Sequence, residues 1–203
     1  MTMKRIATVV VLTICSVVAV QAQMGGMGGA PAAASGTAVD PAKTFDAAVS
    51  GIERNWMGVA QAMPADKYNF APSAAIFVAG QKVQYDGVRT FAQIVTHTIQ
   101  ANYNAFANIG GIKPDVDTAA IGKLTSKDDI VKALADTFAF AHKAVANVTA
   151  ANAFVSARGT QTPVSMLAGA VGHANDEYGQ AVEYLRMNGL VPPASASGGR
   201  RGM

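Results

Sequence analysis

Residues 163–189 read PVSMLAGAVGHANDEYGQAVEYLRMNG, and this stretch sets the fold class. Apolar side chains recur at Val164, Leu167, Val171, Ala174, Tyr178, Val182 and Leu185. That spacing, near 100° per residue, gives one buried stripe on a helix over 163–188. Pro163 suits a first helical position, Gly189 a C-terminal cap, and Pro192-Pro193 a stop. Gly172 and Gly179 lie seven residues apart on one face and read as points of close helix contact. His173 and Glu177, four apart, share a face at the border of the apolar arc.

Three more segments carry the same periodicity. The first helix is expected over Pro41–Met63, capped by Asp40, with Phe45, Val49, Ile52, Trp56 and Ala60 inward. The second is expected from Tyr85 to Asn108, stopping at Gly110-Gly111, with Val88, Phe91, Val95, Ile99 and Phe106 as its stripe. Asn102 interrupts that stripe and is expected to sit at its edge and reach solvent. The third is expected from Ser126 to Asn147 behind the capping-box-like Ser126-Lys127-Asp128-Asp129, with Ile130, Leu134, Phe138, Ala141, Val145 and Val148 inward. Four amphipathic helices of about 20 residues, without strand-like alternation, predict an all-α four-helix bundle. A long connection, 64–84, joins the first two and crosses the bundle or covers one end.

Composition sets limits. The chain has 203 residues, is 50% hydrophobic and only 14% charged, which suits one domain with a sizeable core and excludes disorder throughout. A net charge of +3 without a Lys/Arg cluster on one face argues against a nucleic-acid partner. Residues 1–22, MTMKRIATVVVLTICSVVAVQA, have a basic start, an apolar run from Ile6 to Val20, and small residues before Gln23. These are the three parts of a secretory signal, so the chain is expected to be exported, to the periplasm or beyond. The run is shorter than the roughly 20 residues a membrane span needs, so no stable membrane insertion is expected after cleavage. Ile14 is too large for the position before a lipidated cysteine, which argues against a lipoprotein built on Cys15, the one cysteine. Cleavage removes that thiol and with it disulfides, thiol nucleophiles and cysteine-based zinc sites. Residues 23–39 read as a flexible Gly/Ala-rich leader, 40–193 as the folded domain and 194–203 as a disordered tail.

The chemistry-bearing residues are few. His97 lies at the apolar–polar border of the second helix, as His173 and Glu177 do on the fourth. Two histidines and a carboxylate meeting where two helices join suit zinc or a similar divalent ion with an open position. A histidine at such a border also fits a partly solvated polar residue, and His142 on the third helix reads as semi-buried. A ferritin-like two-metal site is excluded, because Glu53, Glu177 and Glu183 are the only glutamates.

HANDEYGQ at 173–180, MPADKYNFAP at 63–72, VRTFA at 88–92 and YLRMNGLVPP at 184–193, with His97 midway along the second helix, resemble the DinB-like (DinB/YfiT-type) family of four-helix bundles, and most closely its exported members. The resemblance covers about 40–195. It implies three histidine ligands: one on the second helix and a His-x-x-x-His pair on the fourth. His97 and His173 match two of them, and the third falls on Glu177. The implied metal ligands are thus His97, His173 and Glu177, with water completing the shell. A carboxylate there suits Zn²⁺, Ni²⁺ or Mn²⁺, and is equally compatible with a metal site that has been lost. The resemblance implies hydrolase or thiol-transferase chemistry on a small molecule, the latter at odds with export because low-molecular-weight thiols are chiefly cytoplasmic. No separate general base is evident: Asp176 points away by about one-sixth of a turn. Gln180 lies on the His173 side, either as a hydrogen-bond partner of a ligand or as a solvated side chain. The alternative is a non-catalytic envelope bundle with a degenerate site, and low charge is compatible with a homodimer.

Overall fold

The computed structural model describes residues 34–198; the expected signal segment 1–22, residues 23–33 of the expected leader and residues 199–203 lie outside the described residues. Residues 34–37 make a turn in which the Thr37 N–H donates to the Ala34 carbonyl at 3.0 Å. From residue 38 onward the chain is one compact unit built on four long helices. These are α1 (Pro41–Ala62), α2 (Phe91–Gly110), α4 (Lys127–Val145) and α5 (Pro163–Met187), with short α3 (Thr118–Ile121) and α6 (Pro193–Gly198). No described helix is long and apolar enough to cross a membrane.

Local chemistry sets each start. The Asp40 carboxylate accepts from the Ala42 N–H ahead of α1, and Ser126 Oγ from the Asp129 N–H ahead of α4. Thr162 and Ser165 form a reciprocal cap on α5. The second helix begins at Phe91 rather than Tyr85. Thr90 and Gln93 form a full capping box there, and that box fixes the first turn. Residues 85–88 are instead a turn, and Val88 is exposed outside the helix. Gly111, at φ +64°, closes α2 in a left-handed cap. The inward residues expected on α1 and α4 are all buried.

α1 packs chiefly on α4 and α5, and so does α2, so α1 and α2 occupy opposite corners of the bundle. Cross-helix bonds give the directions. Lys127 at the start of α4 donates to the Met63 carbonyl at 2.8 Å just past the end of α1, so α1 and α4 are antiparallel. Tyr184 near the end of α5 donates to the Arg89 carbonyl just before α2, so α2 and α5 are antiparallel as well. Tyr68 is buried against both the last turn of α1 and the first of α2, which places those two ends together. The order is therefore up, down, down, up. The expected long link does cross one end of the bundle. Its first part is docked, since the Phe70 and Tyr68 carbonyls accept from the Phe91 and Ala92 N–H groups. A second long connection was not foreseen. α2 and α4 are parallel neighbours, so 111–126 must return along the bundle, pinned midway where the Gln100 amide donates to the Thr118 carbonyl at 2.8 Å. α6 occupies residues for which a disordered tail is expected, and Pro193 lies against α1 at Gly58.

The glycines correct one expectation. A Cβ on Gly172 or Gly179 would meet nothing within 4 Å, so neither permits a close helix crossing. The close approach is at Gly110, where a Cβ would stand 2.5 Å from the Ala144 carbonyl oxygen and 2.6 Å from its Cα. Gly110→Ala is expected to destabilise the fold by roughly 1–3 kcal/mol, because backbone must move. Gly172→Ala is expected to stabilise it by about 1 kcal/mol through helix propensity. Urea midpoints of the two variants moving in the same direction would contradict this reading.

His142 is semi-buried, as expected, and clamps α4 to α1: Nδ1 faces Asp46 Oδ1, and Nε2 lies 3.2 Å from Glu53 Oε2. Partial burial pulls its pKa down, but the hydrogen bonds and charges of the two carboxylates outweigh that and raise it. A raised folded-state pKa gives stability that is complete below the ordinary histidine pKa and is lost as pH rises through the folded value. The unfolding midpoint of the parent relative to His142→Gln is thus expected to be highest near pH 6 and to shrink by pH 8.5. A gap that is flat or grows with pH would show that the clamp carries no charge.

Candidate metal centre

The site lies at the seam between α2 and α5. His97 stands nearly two turns into α2, and the i, i+4 pair His173 and Glu177 faces it from α5. Antiparallel packing brings one ligand atom from each of the three residues within 4.8 Å of the others. His97 Nε2 is 3.5 Å from Glu177 Oε1, and the two imidazole rings meet edge to face with centroids 5.2 Å apart. Neighbouring ligands of a four-coordinate zinc ion, at about 2.0–2.1 Å from the metal, stand roughly 3.3–3.5 Å apart. The sequence-expected trio is therefore assembled, and these three residues can hold a metal ion.

Glu177 is the unusual member. It is only 4% exposed, and its Oε2 is buried with no hydrogen-bond partner among the described residues. Leaving a carboxylate oxygen dry and unpaired is costly. A cation bound between Glu177 and the two imidazoles would satisfy it, so the donor set fits a divalent ion. Arg89 approaches the same oxygen as His97, its Nη1 3.7 Å from Glu177 Oε1. His97 has its pKa lowered, first by burial, then by the positive charge of Arg89 and by His173, against the opposing pull of Glu177. A neutral imidazole with a free lone pair is the form that binds metal.

Neighbouring side chains fix this geometry. Trp56, fully buried on α1, donates from Nε1 to the Ala174 carbonyl at 3.0 Å and meets Tyr178 edge-on, which holds α5 at the level of the site. Tyr184 donates to the Arg89 carbonyl at 2.9 Å, so the Arg89 backbone is tied to α5. Burial first, then the charge of Glu177 and Tyr85, raises the Tyr184 pKa and keeps it a donor.

The remaining candidates fall outside the cluster. His142 is bound to Asp46 and Glu53 on another face. Asp176 and Gln180 are exposed, with no hydrogen bond to the trio among the described residues, so Gln180 is solvated. Asn102 is not the solvent-reaching residue expected. It is 3% exposed, because α5 covers that edge of α2, and its Nδ2 has no partner among the described residues. Arg89 was missed at the sequence level: a helix expected from Tyr85 takes it in as an ordinary helical residue, whereas it stands just before the Thr90 cap and reaches Glu177 from there.

Fold and site together define an all-α bundle with a two-histidine, one-carboxylate cluster on a single helix–helix seam. The family described as the DinB superfamily matches residues 49–181, which include His97, His173 and Glu177, and the chain belongs to that superfamily. No curated protein matches the chain.

Proposed function

We propose that His97, His173 and Glu177 hold one divalent ion, zinc, nickel or manganese, and that the protein is an exported metal-dependent hydrolase or transferase acting on a small molecule. The observation that carries this reading is the buried Glu177 carboxylate, one oxygen of which has no partner among the described residues, within reach of two imidazoles. A divalent ion at such a centre supplies Lewis acidity, bringing the pKa of a water or thiol toward neutrality. The chain does the rest. His97 and His173 offer neutral nitrogen donors and Glu177 an anionic oxygen. Arg89 offsets the charge of that carboxylate and, being half exposed, is free to orient an anionic group at the rim. Trp56 and Tyr178 close the inner side of α5 to water. Export rests on the signal-like residues 1–22.

Equilibrium dialysis against Zn²⁺, Ni²⁺ and Mn²⁺ in turn tests the ligand set. The expected result is one ion per chain for at least one metal, lost in a His97→Ala, His173→Ala double variant and weakened at least tenfold in Glu177→Gln. If no metal binds, or the double variant binds as the parent does, the centre is not a metal site. The non-catalytic bundle would then be the better reading.

A further inference from the structure

Below the cluster, α2 and α5 part into a cavity of about 360 Å³ that runs from His173 to Arg158. From His173 to Ser165 it follows α5 for about 12 Å at 1.5 Å per residue. Such a volume suits a small organic molecule. Ala101, Ala105, Met166 and Ala170 give it apolar walls, and at Gly169 a Cβ would meet nothing within 4 Å. Asn102 borders it, but its Nδ2 is buried out of reach of the cavity space. A guanidinium is left over along it, that of Arg158 at the far end. It is the one formally charged side chain on the cavity walls, with no carboxylate partner among the described residues. Its backbone is fixed by the bridge to Gln161, in which the Gln161 N–H donates to the Arg158 carbonyl at 2.9 Å, around Gly159 at φ +58°. Its place at the mouth is thus built by a tight turn rather than by a loose loop.

We propose that this cavity binds a small organic acid: its carboxylate at Arg158, and a short apolar chain running between the alanine walls to the His173 end. The inference deepens the metal-centre reading and rests on it for the far end of the ligand alone. An unpaired guanidinium at the mouth selects an anion, since a charge-assisted hydrogen bond is worth more than a neutral one. The apolar walls exclude a fully hydrated ion such as free phosphate.

The test is an NMR titration of the full chain with N-hexanoylglycine, beside its neutral amide, with and without zinc. Expected are saturable shifts at the backbone amides of 101–108 and 165–173, with the neutral amide binding about tenfold more weakly. Arg158→Gln is expected to show a similar loss. Gly169→Leu should fill the cavity and abolish the shifts without lowering the unfolding midpoint. Equal affinity for acid and amide would overturn the proposal, as would shifts outside these segments or undiminished binding to Gly169→Leu. The two readings fail separately. Zinc binding without acid binding overturns the cavity assignment alone. Acid binding in a protein that takes up no metal supports it and overturns the metal centre.

Discussion

Saturating Zn²⁺ is expected to raise the thermal unfolding midpoint of this chain by roughly 8–16 °C, and to leave the His97→Ala, His173→Ala double variant unmoved. Folding creates the site. His97 and His173 lie on different helices, far apart in sequence, and meet only when α2 and α5 pack. An ion that binds the folded state alone stabilises it by about 4 kcal/mol at a thousandfold excess over its dissociation constant. For a domain of this size each kcal/mol moves the midpoint by about 2–4 °C. Glu177 adds to the asymmetry. In the metal-free fold its Oε2 is buried without a partner among the described residues, whereas in the unfolded chain water solvates it. The metal therefore removes a penalty that only the folded state bears. A shift below about 2 °C at millimolar zinc would mean that binding is too weak to matter. An equal shift in the double variant would place the ion elsewhere.

Trp56→Ala is expected to cost about 3–5 kcal/mol, the largest loss from any single truncation considered in this bundle. Trp56 is completely buried, touches Tyr178 edge-on, and joins α1 to α5 through the bond from Nε1 to the Ala174 carbonyl. Truncation removes the ring's burial and opens a cavity that the rigid seam between helices cannot close. Trp56→Phe keeps most of the volume and loses the hydrogen bond, so its cost is expected to be about 1–2 kcal/mol. Urea unfolding of the three proteins checks the order. A loss under about 1 kcal/mol for the alanine variant would mean that α1 and α5 are held together by other contacts.

Asp40, Ser126, Pro163 and Gly189 mark their helix ends by chemistry that acts within four residues, so those ends are legible. His97, His173 and Glu177 are legible as well, because an i, i+4 pair and a border histidine define faces that must meet when two helices pack. Asn102 is not. Periodicity gives its angle on α2, but α5 decides whether that angle faces water. Arg89 and Arg158 lie outside the long helices, in connections that carry no period. The glycines mislead for a related reason. Gly172 and Gly179 stand mid-helix and invite a packing account, yet space is open around both. Gly110 reads as a helix stop, and it is where α2 touches the α4 backbone. The parallel run of α2 and α4 also stays hidden, since 111–126, broken by Pro114 and Gly122, does not say how far it travels.

The most direct measurement is elemental analysis of untagged protein purified without added metal, beside the His97→Ala, His173→Ala double variant. The expected result is about one divalent ion per chain in the parent, in line with a single site, and none in the variant. A metal-free parent that stays metal-free after exposure to Zn²⁺, Ni²⁺ and Mn²⁺ would contradict the account, and Glu177 would then mark a site that no longer binds.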